Sequence, residues 1–359
     1  EIVYINFDDE RLRQMTADDL DLILQAYHSL FDLRPLLFFD EIQNIEGWEH
    51  FARRLANQKY NIYITGSNAK MLSREIATTL GGRFWNKDVY PYSFAEYLNA
   101  RNIILSKNWM YGKQAAEVSK AFNDYFLYGG FPELTDVIAK RVWLNDIYSK
   151  IFFSDLIVRN KVRNEEALGL LVRRLAENVK QPVSYTRLAN LISSIGIKIS
   201  KATVIEFIRY LKESCLIFPI ENYAAKFAER NSNMKHYFID NGLLSIFLLD
   251  GNTSLLENIV AIHLYKRYGA QLYFYNQNIE VDFVIPEAKT AIQVSYSLMD
   301  ETTCRREVEG LIKLNRVFPM DNMCIITRDE ERIITHESGV SIHVIPVWKW
   351  LLEEEPLQT

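Results

Sequence analysis

Apolar residues form short runs and helical stripes from the second position of the chain. Ile2–Phe7 is β-branched and aromatic and predicts a buried strand, closed by Asp8-Asp9-Glu10. Thr16 and Asp19 form a capping-box pattern with Asp in the usual Glu place. Leu20, Leu24, Tyr27 and Phe31 then recur at helical spacing, predicting a helix from Leu20 to Phe31. After Pro35 come four consecutive large apolar residues, Leu36–Phe39, the pattern of a strand buried on both faces as in a parallel sheet, and it ends in Asp40-Glu41. A helix around Trp48–Gln58 leads to a second buried strand, Tyr60–Ile64, that ends in Thr65-Gly66-Ser67-Asn68.

Helical periodicity dominates 98–150, including Ala115–Leu127, with a fixed turn at Tyr128-Gly-Gly-Phe-Pro-Glu133. Arg-rich helices fill 150–180. Ser184 is a good N-cap for a helix with Leu188, Leu191 and Ile192 on one stripe. Gly196 supplies a turn, and a second helix starting near Ser200 turns Val204, Ile205, Ile208 and Leu211 inward. Strand-like Leu216–Phe218 and Lys235–Ile239 flank a polar loop, so this stretch predicts a winged helix. Beyond it lie a helix over Ser254–Tyr265, strands at Leu272–Tyr275, Glu280–Ile285 and Ala291–Ser295, a helix over Glu301–Leu314 and a strand at Met323–Thr327. His263 stands alone on its helix and suits a core histidine better than a ligand.

Composition is globular, with 48% hydrophobic and 24% charged residues, which excludes a disordered or low-complexity chain. A length of 359 residues implies two or three domains. The net charge of −5 conceals a segregation: 14 basic against 19 acidic residues over 1–139, 17 against 9 over 140–235, and 10 against 18 over 236–359. The +8 middle therefore has different expected partners from its acidic flanks. Cys215, Cys304 and Cys324 are widely spaced and give neither a disulfide framework nor a metal knuckle. No apolar run reaches the ~18–20 residues of a membrane span, and a cytoplasmic protein without a membrane partner is expected.

Asp40-Glu41, at the C-terminal edge of its strand, lies where open α/β sheets bind ligands. In a Walker-B pair the Asp holds Mg²⁺ through water and the Glu orients and deprotonates the attacking water. The same pair also suits a helix cap. Ser67 or Asn68, at the end of the neighbouring strand, occupies the position that senses the γ-phosphate, or else caps the next helix.

Leu37-Phe-Phe-Asp-Glu-Ile-Gln43, Thr65-Gly-Ser67, Gly82-Arg83 and Pro91-Tyr-Ser-Phe-Ala-Glu96 come in an order that resembles the AAA+-like P-loop ATPases of bacteria and archaea with a nuclease-like C-terminal domain. The resemblance implies ATP and Mg²⁺ as cofactors and Arg83 as a candidate arginine finger; a surface arginine after a Gly-Gly turn is the plainer alternative. It also implies a Gly-Gly-[Phe/Tyr]-Pro turn in a helical lid, at Gly129–Pro132. One departure is severe. No GxxxxGK[ST] run, the loop that grips phosphates, occurs in the sequence. The family places it one helix ahead of the Ile2–Phe7 strand, so several tens of natural residues are expected before Glu1.

Lys201, Arg209 and Lys212 lie off the apolar stripe of the second middle helix, and the wing adds Lys226, Arg230 and Lys235. This predicts a phosphate-facing surface for DNA without sequence-specific readout; packing between domains or binding a protein is the alternative. In the C-terminal stretch a helical Glu followed by a hairpin with Asp and then [Glu/Gln]-x-Lys is the layout of PD-(D/E)xK nucleases. Glu257, Asp282 and Gln293 match it, but Ser295 stands where the Lys belongs, and Lys289 is a nearby lysine without an evident route to the site. A neutral Gln and a Ser weaken Mg²⁺ binding and water activation, so a degraded site with little cleavage is expected.

The expected fold is α/β: an ATPase core over 1–100, a helical lid over 101–150, a winged helix over 151–240 and a nuclease-like α/β domain over 241–359. The expected function is Mg²⁺-dependent ATP hydrolysis coupled to DNA or protein, with a second copy or a protein as further partner. The alternative is a non-catalytic interaction module with both sites degraded.

Overall fold

A computed structural model describes residues 1–66, 78–226, 230 and 232–353. Ser67 and Asn68 therefore lie outside the described residues. The chain divides into two compact units, residues 1–89 with 212–215, and residues 90–211 with 216–359.

In the first unit β1 (Ile2–Asn6), β2 (Leu36–Asp40) and β3 (Ile62–Ile64) form a parallel sheet in that order. Helices α1 (Leu20–His28) and α2 (Trp48–Asn57) supply the crossovers that parallel neighbours require. The register pairs Asn6 with Asp40 and Phe39 with Ile64, so the strand ends lie side by side. Thr16 and Asp19 do form a capping box, on the 3₁₀ turn that leads into α1.

The expectation of strands buried on both faces fails here. Leu37 and Phe39 pack with Leu20, Trp48, Phe51 and Leu55, whereas Leu36, Ile2 and Tyr4 are exposed. The described helices cover one face of the sheet, so the apolar run alternates in burial. Phe38, on the other face, stacks on Tyr63 with ring centroids 4.7 Å apart.

The second unit begins with α3 (Phe94–Ala100), which Ser93 and Glu96 cap as a box. Then come α4 (Lys113–Tyr128), α5 (Lys140–Lys150), a π-helical stretch at Ile151–Val158, and α6 (Glu165–Glu177). Next are β4 (Val183–Ser184), α7 (Tyr185–Ser193), α8 (Lys201–Glu213), β5 (Ile217–Asn222) and β6 (Asn233–Phe238). After α9 (Asn241–Ser245) and α10 (Asn252–Tyr268), the chain continues through β7 (Tyr273–Asn276), β8 (Glu280–Ile285) and β9 (Thr290–Val294). It ends with α11 (Glu301–Val317), β10 (Asn322–Thr327), β11 (Arg332–Thr335), β12 (Ser341–Pro346) and α12 (Val347–Glu353). A mixed sheet of nine strands runs β11-β12-β10-β9-β8-β7-β5-β6-β4. It continues through residue 240, because β5 pairs with β7 at Glu221–Tyr273 and Asn222–Phe274.

Ser184 caps α7, accepting from the Arg187 amide at 3.2 Å. In α8, Val204, Phe207, Ile208 and Leu211 are buried. Ile205, expected inside, is exposed, because the 100° step per residue turns it toward the outer face beside Arg209. No described helix is long and apolar enough to cross a membrane.

The Gly-Gly turn after α4 has a specific packing reason. Gly129 has φ +78°, and a Cβ there would fall 2.0 Å from Asp240 Oδ1; one on Gly130 would fall 2.3 Å from the Tyr92 carbonyl. The bare backbone lets Asp240 Oδ2 accept from the Gly130 amide at 2.7 Å, while Oδ1 accepts from Gly242 at 2.7 Å and Leu243 at 3.3 Å. Next to it, Asn241 donates to the Phe126 and Leu255 carbonyls, and Asn258 exchanges bonds with the Phe238 backbone. These buried amides knit the end of α4, the end of β6 and α10 together. Burial pushes the Asp240 carboxyl up to about 6, against the pull of its three amide donors.

Asp240→Asn keeps the shape but turns an NH₂ group toward backbone N–H donors. It should cost about 1–3 kcal/mol in denaturant unfolding, the usual penalty for a buried polar group left unmatched. An unchanged midpoint would contradict the role given to this carboxylate.

Candidate functional site

Two acidic groupings stand out, one in each unit. In the first, Asp40 ends β2 with β1 and β3 on either side. Its Oδ1 accepts from the Thr65 hydroxyl, and its Oδ2 accepts from the Tyr4 hydroxyl at 2.8 Å. That bond raises the pKa of the Tyr4 phenol, which holds its proton toward the carboxylate. Glu41 follows with φ 54°, a left-handed backbone that costs an L-residue roughly 1–2 kcal/mol. Its Oε2 accepts from Gln43 Nε2 at 2.5 Å. Lys59, Asn102, Lys161, Cys215 and Lys289 share this conformation, so the chemistry of the pair rests on its position at the strand end.

A carboxylate has about four lone-pair sites and Asp40 uses two here, so it retains acceptors for a metal-bound water. Mg²⁺ keeps several waters and takes one or two carboxylates besides phosphate, so a lone Asp fits it. Among the described residues, no three His, Cys, Asp or Glu side chains are grouped to hold a metal ion.

Arg83 is exposed and donates to the carbonyl of Gly81 within its own turn at 3.3 Å; among the described residues no hydrogen bond or ion pair joins it to Asp40. Tyr4 and Thr65 were not singled out from the sequence. Thr65 could have been: it is the first polar residue after β3, level with the carboxylate strand.

On α8, Lys201, Arg209 and Lys212 are exposed. The Arg209 guanidinium lies 5.1 Å from the Tyr210 ring centroid and 3.9 Å from Glu206. Lys226 is exposed as well. Arg230 is turned inward, donating to the carbonyls of Ala225 at 2.9 Å and Tyr223 at 3.1 Å, so its guanidinium braces its own loop.

Lys235 departs furthest from expectation. It is fully buried and does not face solvent from a wing. Its Nζ lies 3.0 Å from Asp282, 3.2 Å from Glu257 and 3.6 Å from Glu280. In β6 it shares a face with Tyr237, whose hydroxyl donates to the same Glu257 oxygen at 2.7 Å. Alternation in Met-Lys-His-Tyr-Phe was the available signal: a face that buries Tyr237 also buries Lys235.

Gln293 accepts from the Asp282 amide at 2.9 Å and donates to the Glu280 carbonyl at 3.1 Å, so it binds backbone. The Ser295 hydroxyl donates to the Ser297 carbonyl at 3.0 Å, and Lys289 pairs with Asp321 at 3.5 Å. Glu257, Asp282 and Gln293 thus come together, and Lys235 supplies the cation that neither Ser295 nor Lys289 does. Burial lowers the Lys235 pKa less than the surrounding carboxylates raise it, so it stays charged. Burial also pushes Glu257 up to about 7, because one ammonium only partly offsets the carboxylates it shares. Below that pH one carboxyl of the group carries a proton. His263, beside Trp350, is held down to about 4 by burial and remains a neutral packing residue at neutral pH.

Residues 1–98 match the family described as AAA domain, and residues 119–254 match a domain of unknown function (DUF8612). The chain is 34% identical to the uncharacterized protein MJ1544 of Methanocaldococcus jannaschii, over 98% of this chain and 82% of that protein. It is 30% identical to an uncharacterized protein of Haemophilus influenzae, over 98% of this chain and 86% of that one. Among solved structures, the Walker-type ATPase PABY2304 of Pyrococcus abyssi aligns over 68% of this chain and 83% of its own, at 13% identity and a TM-score of 0.41.

The raised Glu257 carboxyl makes stability depend on pH. The native state keeps a proton that the unfolded chain, with its ordinary value of 4.5, releases. Its contribution is therefore full below about 4.5 and lost as pH rises through 7. Asp240 acts in the same sense at lower pH, between 3.8 and about 6. Thermal melts of Glu257→Gln should show a flatter decline toward neutral pH than the wild type, and parallel profiles would count against a shared proton.

Proposed function

We propose, from the premise that this chain belongs to the family of the uncharacterized archaeal protein MJ1544 and carries an AAA domain over residues 1–98, that it is an ATP-binding, Mg²⁺-dependent ATPase of the AAA+ type whose hydrolysis is coupled to DNA or protein. The observation that carries this is the Asp40-Glu41 pair, set at the end of a parallel strand with Asp40 oriented by two hydroxyls and Glu41 in a strained backbone. Mg²⁺, when bound, offsets phosphate charge. Asp40 orients the water shell on that side, and Glu41 takes the proton of the attacking water. Thr65, between Asp40 and the residues that follow β3, couples the carboxylate to the γ-phosphate sensor expected at Ser67 or Asn68. Arg83, exposed on its turn, stabilises charge in cis or from a second copy.

Helices α6, α7 and α8 with the antiparallel strands β4, β6 and β5 support a winged helix over 151–240, following a helical lid at 101–150. Lys201, Arg209, Lys212 and Lys226 are its phosphate contacts; Arg230 is left out because its guanidinium is engaged. For 241–359 we favour a nuclease-like unit that binds and does not cut. The specific support for this second reading is the lysine buried among Glu257, Glu280 and Asp282.

Glu41→Gln should lower ATP turnover by roughly 10²-fold or more while leaving ATP affinity within a few-fold. Turnover that survives the change removes Glu41 from the reaction. Binding of duplex DNA should weaken steeply with salt, and each of Lys201→Ala, Arg209→Ala and Lys212→Ala should reduce the log–log salt slope by about 1. No binding at low salt would leave the basic helix to a protein partner.

A further inference from the structure

We propose that the Lys235 ammonium is the resident cation of the Glu257–Glu280–Asp282 pocket, holding the place of a divalent metal, and that the pocket admits such a metal only when this lysine is removed. The inference rests on β6, β8 and α10 alone and stands whether or not the first unit hydrolyses ATP.

The ammonium donates to Asp282 at 3.0 Å and to Glu257 at 3.2 Å, and the half-exposed Glu280 lies 3.6 Å away as a looser ion pair. The ammonium also lies 5.6 Å from the centroid of the Phe274 ring, a favourable seat for a desolvated cation. The Asp282 and Glu257 spacings are those of N–H···O bonds. Oxygen–metal distances are about 2.0–2.1 Å for Mg²⁺ and 2.3–2.6 Å for Ca²⁺. A metal would have to displace the ammonium and draw the acids inward.

The acids are also committed elsewhere. Asp282 Oδ2 accepts from the Val294 amide at 3.0 Å, and Glu257 Oε1 takes the Tyr237 hydroxyl. Gln293 is tied at both ends to the backbone of β8. At the rim, Glu280 is half exposed, and Glu307 is paired with Arg306 at 2.6 Å. Removing the lysine leaves an excess of buried negative charge and a space, which is the condition under which a divalent cation binds. With the lysine present the space is filled and the negative charge is partly offset, so a divalent metal has no seat here.

Wild type, Lys235→Ala and Lys235→Ala/Asp282→Asn can be compared by thermal melting with and without millimolar MnCl₂. Lys235→Ala should melt lower by roughly 10 °C, since removing one partner of a buried ion group strands the others. Mn²⁺ should restore much of that loss in the single variant and not in the double. Folded Lys235→Ala that ignores Mn²⁺ overturns the proposal. If Lys235→Ala folds under neither condition, Mn²⁺ uptake measured by electron paramagnetic resonance on wild type and Asp282→Asn decides. Equal uptake supports a pocket filled by lysine, and one ion fewer in Asp282→Asn overturns it. An ATPase site in the first unit contributes equally to both proteins and does not affect this comparison.

Discussion

One ammonium shielded from water organises the larger unit. Lys235 reaches from β6 past the Phe274 ring of β7 to Asp282 on β8, and to Glu257 on α10. β6 and β8 are not neighbours in the sheet; β5 and β7 lie between them. The ion group therefore fixes a relation that ladder hydrogen bonds cannot reach across. A buried charge persists only when its partners are in place, so the helix and strands that carry the acids must assemble together. Just beyond it along β6, Asp240, Asn241 and Asn258 satisfy backbone groups of α4, β6 and α10 and continue the same seam.

The two acidic groupings of the molecule are built on opposite terms. Asp40 is oriented by hydroxyls at an open strand edge and keeps acceptors for a ligand. Glu257 and Asp282 are buried and partly compensated from within by Lys235. The first arrangement suits chemistry on a bound nucleotide. The second suits rigidity, because the acids are held by a buried lysine and by backbone amides.

Much of the architecture was legible. Ser184 and the Thr16/Asp19 box sit where capping chemistry requires, and the apolar stripes of α7 and α8 and the strand runs of β8–β10 correspond to real elements. Legibility fails where burial depends on distant partners. Leu36 and Ile2 look like core and are exposed, because the described helices cover one sheet face. Ile205 fits an inward stripe but lies beyond its edge, and Arg230 looks like a surface cation but is spent on carbonyls of its own loop.

By itself the sequence determined the α/β class, the order of helices and strands, the acid pair after a parallel strand and the basic character of the middle, because these follow from local periodicity, caps and charge. Only the tertiary structure decided that Thr65 and Tyr4 hold Asp40, that Gly129 must be bare to admit Asp240, and that Lys235 belongs to the acids of β8 and α10. The reason is physical: a lysine's role is set by which carboxylates reach it and whether water does, and the partners here lie 22 and 47 residues away along the chain.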